Sequence, residues 1–465
     1  MSRLGTPVAS RPYDDAVPRF DTSEGLAVGH VNGTAGRTRM QTWLVAAIVA
    51  IAFADSSIVV LALPQLYKRF ETSITGVSWV VTSYNAAVAV TALALVFLVH
   101  RFRARLVFAA GSLLFLAATI ACASAQALWF LIAARCVQGA GAGLLLAGAL
   151  SLMAVNTWTL AGTFGAALGP ALGGILTQLF DWRAIFVAQA PVAAAGLVAV
   201  ARRKDEPTAA EGWRPSLRRT VPANVCLGLV FGALVGALFL GVLLVIVVWQ
   251  YTPIEGALIV SVLPLGALAA RALPRNAAAG AALLGAGLVA LALLPSASVP
   301  IAICALALCG VGLGLAVPTL SNAALDPEAG LTRSGTLTIG VRHLGLVAAI
   351  ATIAPLLAGT LPDAGDRAML KATQVLLDAP IGITDKVPIA LDLRKAFNKA
   401  KAGEIPNLKE PFDSRGARSD AKLAAARDDL VSAIQDTITR AFRSAFFLAA
   451  AFAAAGALLA WRLIR

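Results

Sequence analysis

Twelve apolar runs of about twenty residues constrain this chain more than any other feature. A bilayer core about 30 Å thick is crossed by about 20 apolar residues in a helix. No water is present there to satisfy a bare backbone, so only helices and closed barrels can span it. Barrel strands would read as short segments of alternating polarity, and the runs here are continuous. They fall at about 43–66, 76–99, 105–125, 127–153, 158–180 and 183–201, then at 221–250, 253–272, 276–295, 299–320, 334–360 and 443–464. The fold expected is an all-α polytopic membrane protein of twelve transmembrane helices. Its six-helix half at 43–201 and its second half at 221–360 plus 443–465 are joined by a polar linker at 202–220. The chain is 58% hydrophobic and 14% charged, against about 45–50% and about 25% in soluble domains. Residues 1–42 hold no apolar stretch and read as a disordered cytoplasmic N-terminus. With no apolar core in the first 30 residues, the first span doubles as the targeting signal to the cytoplasmic membrane.

The net charge of +13 would suggest nucleic acid in a soluble protein. Here its distribution gives orientation instead. Arg37, Arg39, Arg101, Arg103, Arg105, Arg202, Arg203, Lys204, Arg214, Arg218, Arg219, Arg271, Arg275, Arg333, Arg462 and Arg465 all fall on one side. The short loops of the other side carry Lys68, Arg69 and Arg183. Positive charge marks the cytoplasmic face, so both termini are expected inside, with the lipid bilayer as partner and no nucleic acid. The segment 361–442 is then extracytoplasmic. Within it Leu423, Leu430, Ile434, Ile438 and Phe442 share one helical face, leading into the last span. Residues 366–377 and 389–401 are weaker amphipathic candidates. The segment is either a helical cap, or a docking surface for an extracytoplasmic partner or a gate over the outer cavity. Cys122, Cys136, Cys226, Cys304 and Cys309 lie inside apolar runs without metal-site spacing, as small buried apolar residues.

Polar groups inside the spans are the candidates for chemistry, because each is costly there. Arg135 and Gln138, three apart, share one face of the fourth helix. Asp55 lies about 18 Å from the inner end of its helix, and Arg135 about 12 Å from the outer end of its own. In a core of about 30 Å the two stand at a similar level. A carboxyl in a membrane cavity exchanges its proton as burial and nearby cations change, so Asp55 is the candidate for proton coupling; the alternative is a structural hydrogen bond to neighbouring backbone. Arg135 is either a cavity residue or a static counter-ion. Tyr84 and Asn85 are cavity or interface residues. Arg342 and His343 form a second charge-capable pair; histidine ordinarily titrates near neutral pH, and packing near the inner face is its alternative role. Gly165, Gly169 and Gly173 recur every four residues, opening a face for close helix approach. Pro170 and Gly174 weaken the same helix, making it a candidate gating helix. No phosphate-binding glycine loop ends in Lys-Ser or Lys-Thr, and neither a zinc cluster nor a nucleophile–base pair stands out. No enzyme activity, cofactor or metal is expected, and energy should come from an ion gradient.

Several segments together resemble the major facilitator superfamily, in its multidrug–proton antiporter branch. FADSSIVVLALPQL (53–66) is similar to that branch's first-helix signature and WVVTSYN (79–85) to its second helix. RCVQGAGAG (135–143) resembles the fourth-helix motif and LGPALGG (168–174) the antiporter motif of the fifth. DWRAIFVAQAP (181–191) resembles the entry to the sixth helix, and YTPIEGA (251–257) and RSGTLTIGVRHLG (333–345) resemble second-half segments. The resemblance implies two halves rocking around a midplane site, with helices 1 and 4 lining the cavity. It implies proton-coupled efflux of amphipathic or hydrophobic small molecules. The alternatives are export of one metabolite or lipid, or a non-transporting receptor or scaffold. The inner loop after helix 2 departs from the family pattern. Val96, His100 and Arg103 stand where a glycine, an acid and a glycine are usual, which removes the acid of the inner latch.

Overall fold

The computed structural model describes residues 28–98, 101–201, 217–325, 330–399, 408–415, 417 and 420–464. The first half is α1 (Val28–Arg69), α2 (Ile74–Leu98), α3 (Ala104–Ser124), α4 (Leu128–Ala149), α5 (Val155–Leu179) and α6 (Arg183–Ala201). The second half opens with α7 (Leu217–Val242), which runs into a π-helical turn, Leu243–Val248. It continues with α8 (Pro253–Ala269), α9 (Ala277–Ala292), α10 (Val299–Ala324) and α11 (Leu331–Asp378). After α11 come α12 (Ile383–Lys399), α13 (Glu410–Asp413), α14 (Ala421–Thr439) and the last span, α15 (Arg443–Ile464). Among the described residues, eleven helical stretches are long and apolar enough to cross a membrane. The twelfth span is α9, whose 16 residues reach about 24 Å; local thinning of the bilayer accommodates such a span at modest cost.

The two halves repeat one packing plan. α1 packs on α5 and α6, α3 on α4 and α6, and α2 on α4. Shifted by six spans, the same pairs recur as α7 with α11 and α15, α9 with α10 and α15, and α8 with α10. The halves meet through α2 with α11 and through α5 with α8, and the same shift exchanges these two pairs.

Local chemistry sets several boundaries. α8 begins with a capping box: Thr252 accepts from the Glu255 amide, and the Glu255 carboxylate accepts from Thr252; this satisfies two orphan donors. Asn276 caps α9 by accepting from Ala279, and Asp420 caps α14 by accepting from Lys422 and Leu423. Gly330 precedes α11 at φ 83°, a left-handed conformation that glycine adopts freely.

Some boundaries differ from the sequence reading. Helix α1 starts at Val28, so residues 28–42 extend the first span instead of lying disordered; a formed helix adds residues more easily than it nucleates. Residues 1–27 and 202–216 lie outside the described residues, and 217–220 already belong to α7. The break between the fourth and fifth helices falls at 150–154, so VNTW is helical. α11 does not stop at 360 but continues through Pro355 and Pro362 to Asp378. Each proline removes one backbone bond, while Ala364, Ala368, Ala372 and Leu376 keep a buried face beyond them. α11 and α14 pack along this extension, where Leu423, Leu430, Ile434 and Ile438 are buried. Arg415–Asp392 (2.7 Å) and Arg427–Asp413 (2.9 Å) join the pieces between them. Of the cysteines, Cys122, Cys226 and Cys309 are buried, while Cys136 and Cys304 are exposed on the bundle surface.

Candidate functional site

A polar cluster lies inside the first half, assembled by α1, α2, α3, α4 and α6. Asp55 and Arg135 are fully buried, and Asp55 Oδ2 meets Arg135 Nη1 at 2.5 Å. The contact is direct, with no space for a bridging water. Gln189 of α6 donates from Nε2 to Asp55 Oδ1 at 2.8 Å. Arg135 donates from Nη1 to Gln138 Oε1 at 2.7 Å and from Nε to the Val80 carbonyl at 3.0 Å. Gln138 in turn donates to Thr119 Oγ1 (2.9 Å) and Gln189 Oε1 (3.0 Å). The Tyr84 ring lies 4.2 Å from the guanidinium carbon, with Phe186 at 5.8 Å, and the Tyr84 hydroxyl donates to the Ala52 carbonyl at 2.8 Å.

Satisfaction is incomplete at two atoms. Asp55 Oδ2 receives no directed hydrogen bond, and Arg135 Nη2 has no hydrogen-bond partner among the described residues. A buried ion pair is held by geometry and by further hydrogen bonds, and removing either partner leaves an uncompensated charge. Tyr84, Arg135 and Gln138, read from sequence as cavity residues, are wholly enclosed by protein contacts in this conformation, because Gln189 and Thr119 complete the ring around them.

Asn85 lies in a different place, on the seam between the halves. Its Nδ2 donates to the Val81 carbonyl at 2.8 Å, which fixes the amide orientation. Its Oδ1 accepts from Ser56 Oγ at 2.9 Å and faces His343 Nδ1 at 2.8 Å. An amide oxygen only accepts, so His343 Nδ1 carries a proton and α11 donates to α2. His343 thus sits at mid-depth, about 18 Å along α11, and not at the inner face. Arg342 packs between rings of both halves, 3.9 Å from the Phe231 centroid and 5.2 Å from that of Phe53.

The glycines of α5 press on the helix that carries Asp55. A Cβ at Gly165 would overlap the Ala50 carbonyl, and one at Gly169 the Ser57 hydroxyl; one at Gly173 would meet the Ile58 carbonyl at 2.6 Å. Gly174 turns instead to the second half, where a Cβ would meet the Pro253 carbonyl at 2.6 Å. Pro170 is buried within α5, which is continuous across it. Beside Gly174, the Ile254 amide donates to Gln178 Oε1 at 2.8 Å. At this end of the seam Tyr67, Ile74, Leu243, Leu361 and Phe442 surround a cavity of about 20 Å³, room for about one water. At the opposite end Ser151 and Thr332 share a 2.8 Å hydrogen bond, and Gly335 and Gly340 admit Leu150 and Leu93. Both ends of the seam are therefore in contact. His100, at the departed latch position, lies outside the described residues.

Sequence reasoning passed over Gln189, Thr119, Ser56, Phe53 and Phe231. Gln189 had a signal, as the one polar residue of α6 beyond Arg183 at its start. The two phenylalanines had none, because nothing in an apolar run singles out a ring that will face a cation.

The family model described as Major Facilitator Superfamily matches residues 45–349. The chain belongs to the major facilitator superfamily. Over 187 residues it is 30% identical to the methylenomycin A resistance protein of Bacillus subtilis (strain 168), covering 37% of this chain and 40% of that protein. Over 158 residues it is 31% identical to the drug efflux pump JefA of Mycobacterium tuberculosis, covering 31% of each. The putative multidrug resistance protein MdtD of Klebsiella pneumoniae is 34% identical over 172 residues, or 35% of this chain and 36% of that protein. The chain thus spans well under half the length of these curated relatives. In fold it matches a bacterial homolog of the human lysosomal transporter Spinster, in an inward-facing conformation, with a TM-score of 0.59 at 16% identity. That match covers 92% of this chain and 98% of the other. A D-xylose-proton symporter follows at TM-score 0.52 and 14% identity, covering 70% and 90%. This is a multi-pass membrane protein of a transporter family, with relatives named for drug efflux.

Proposed function

We propose that this major facilitator is a secondary active exporter of amphipathic or hydrophobic small molecules, driven by protons through alternating access. The observation that carries the reading is the direct contact of Asp55 with Arg135 at the centre of the first half. The spanning segments before residue 360 carry one other acid, Glu255, and it is engaged in capping α8. Asp55 is therefore the carboxyl placed to take up a proton at mid-depth. When it is protonated, Arg135 and Gln189 lose their anionic partner, and α1 can shift against α4 and α6. α1 is also the helix on which Gly165, Gly169 and Gly173 of α5 ride, so that shift passes to α5 and, through Gly174, to α8 of the second half. Two halves meeting through few helix pairs around a midplane site suit the rocking motion of such transporters.

The proposed setting is the cytoplasmic membrane with both termini inside, following the arginine distribution. The outer segment 361–442 keeps a second role open. Ile383, Val387 and Leu391 of α12 are exposed on one face, which favours an extracytoplasmic partner over a bare cap. Purified protein in proteoliposomes under an imposed pH gradient tests the main reading. Gradient-dependent flux of one or more members of a panel of amphipathic compounds supports it. Absence of flux for the whole panel, with correctly inserted protein, replaces it with a receptor or scaffold role.

A further inference from the structure

The charge balance at mid-depth leaves one cation over. Asp55 and Arg135 neutralise each other. Arg342 forms no ion pair or hydrogen bond among the described residues, and its Nε is buried without a partner. An unpaired cation within a bilayer is expensive, and residues of this kind face a bundle interior or a watery cavity. Its stabilisation comes from two ring faces, Phe231 of α7 at 3.9 Å and Phe53 of α1 at 5.2 Å. Rings engage the faces of a guanidinium, and leave the donors along its edge to bind something else. Arginine presents these donors as a planar fork that matches an oxyanion with two oxygens. Arg342 is half-buried, so its outer nitrogens reach open space, whereas its neighbour His343 is enclosed.

The surroundings fit an amphipathic ligand. Phe53 and Phe231 offer apolar walls from opposite halves. Ser56, half-buried and bonded to Asn85, adds a hydroxyl one residue from Asp55. Every carboxylate in the spanning segments before residue 360 is engaged, Asp55 by Arg135 and Gln189 and Glu255 by its own cap. A cationic ligand at this depth would find no free acid and would meet Arg342.

We infer that the site at Arg342 binds amphipathic anions, holding the oxyanion head on the guanidinium edge and the apolar body alongside Phe53 and Phe231, whose rings hold the guanidinium between them. The inference rests on the transport reading and deepens it by naming the substrate class. Binding one residue from Asp55 would let the substrate's charge and the coupling proton act on the same stretch of α1.

Matched pairs of permanently charged probes test it without interference from the pH gradient. Aryl sulfonates and aryl trimethylammonium compounds sharing one aromatic body, in several body sizes, are titrated against the full-length protein in detergent. Ligand-dependent thermal stabilisation is the readout, since a ligand of the folded state raises its apparent stability. One or more sulfonates should stabilise the wild type, and its ammonium partner should not. Arg342→Gln should weaken sulfonate binding about tenfold to a hundredfold, in line with loss of hydrogen bonds to a charged group. Arg342→Lys, which keeps the charge without the fork, should fall between. Stronger stabilisation by the ammonium member, no response to any sulfonate, or undiminished sulfonate binding in Arg342→Gln would each overturn the assignment. The wild-type comparison stands even if Arg342→Gln fails to fold. Flux of ammonium probes but not sulfonates in proteoliposomes would overturn the anion site while leaving transport intact, and no flux at all would overturn transport itself.

Discussion

The first half encloses a buried ion pair and two glutamines, while the second half, built on the same packing plan, is apolar at the matching place. Where α1, α4 and α6 bring Asp55, Arg135 and Gln189 together, the helices repeating them, α7, α10 and α15, bury apolar residues such as Ala233, Leu306 and Ala449. Glycines recur in both, at Gly139, Gly141 and Gly143 of α4 and at Gly310, Gly312 and Gly314 of α10. The repeat therefore preserves close helix approach and not chemistry. A core such as that of the second half holds one arrangement by packing alone, whereas an ion pair can be opened by one proton. The contrast assigns the proposed switch to the first half.

The largest expected effect comes from breaking the ion pair on one side. Asp55→Leu leaves Arg135 buried without a counter-charge and should lower stability by roughly 3–5 kcal/mol, read as thermal unfolding in detergent. The double variant Asp55→Leu with Arg135→Met makes the first half resemble the second. It should recover most of that stability, because an apolar replacement of a whole buried pair is often neutral or better, and it should still transport nothing against a gradient. Recovery of both stability and driven flux would erase the distinction between the halves.

Next in size is the α5 stripe. Gly169→Leu drives a side chain into Ser57 and Ala54 of α1 and should cost roughly 1–3 kcal/mol or more, with insertion or flux impaired. Gly359→Ala, where a Cβ meets nothing within 4 Å, serves as the neutral control on α11. Full transport by Gly169→Leu would remove the stripe from the mechanism. Gln189→Leu should cost roughly 1–3 kcal/mol, since it leaves Asp55 Oδ1 and Gln138 with unmet hydrogen bonds; it should shift the pH dependence of flux while Asn224→Leu in α7 should not. Smallest is Ser151→Ala at the inner seam, about 0.6 kcal/mol by the average for interhelical hydrogen bonds in membranes, seen as a modest change in protease protection of the inner loops.

The fold was largely legible because hydrocarbon thickness dictates run length, and twelve runs in the sequence became twelve spans. The exceptions have local causes. The eleventh run read as ending at 360, yet α11 continues past Pro362 to Asp378 because the alanines beyond it continue a packed face. The polar residues 28–42 read as coil, yet they prolong α1. At the site, depth counting paired Asp55 with Arg135, since helical rise converts position directly into level. Gln189 and the His343–Asn85 contact were not readable, because which helices neighbour each other is set by packing between runs of similar apolarity. Arg342 was visible as a charge, but its lack of an acidic partner emerged only once Phe53 and Phe231 were placed around it.

Coupling through Asp55 is tested most directly by comparing two modes of flux in Asp55→Asn proteoliposomes. Exchange of labelled for unlabelled substrate at equal pH needs the halves to rock but needs no proton. Uphill movement driven by a pH gradient needs both. The proposed switch predicts that Asp55→Asn retains exchange and loses gradient-driven accumulation. Gradient-driven accumulation at the wild-type level in Asp55→Asn would contradict it.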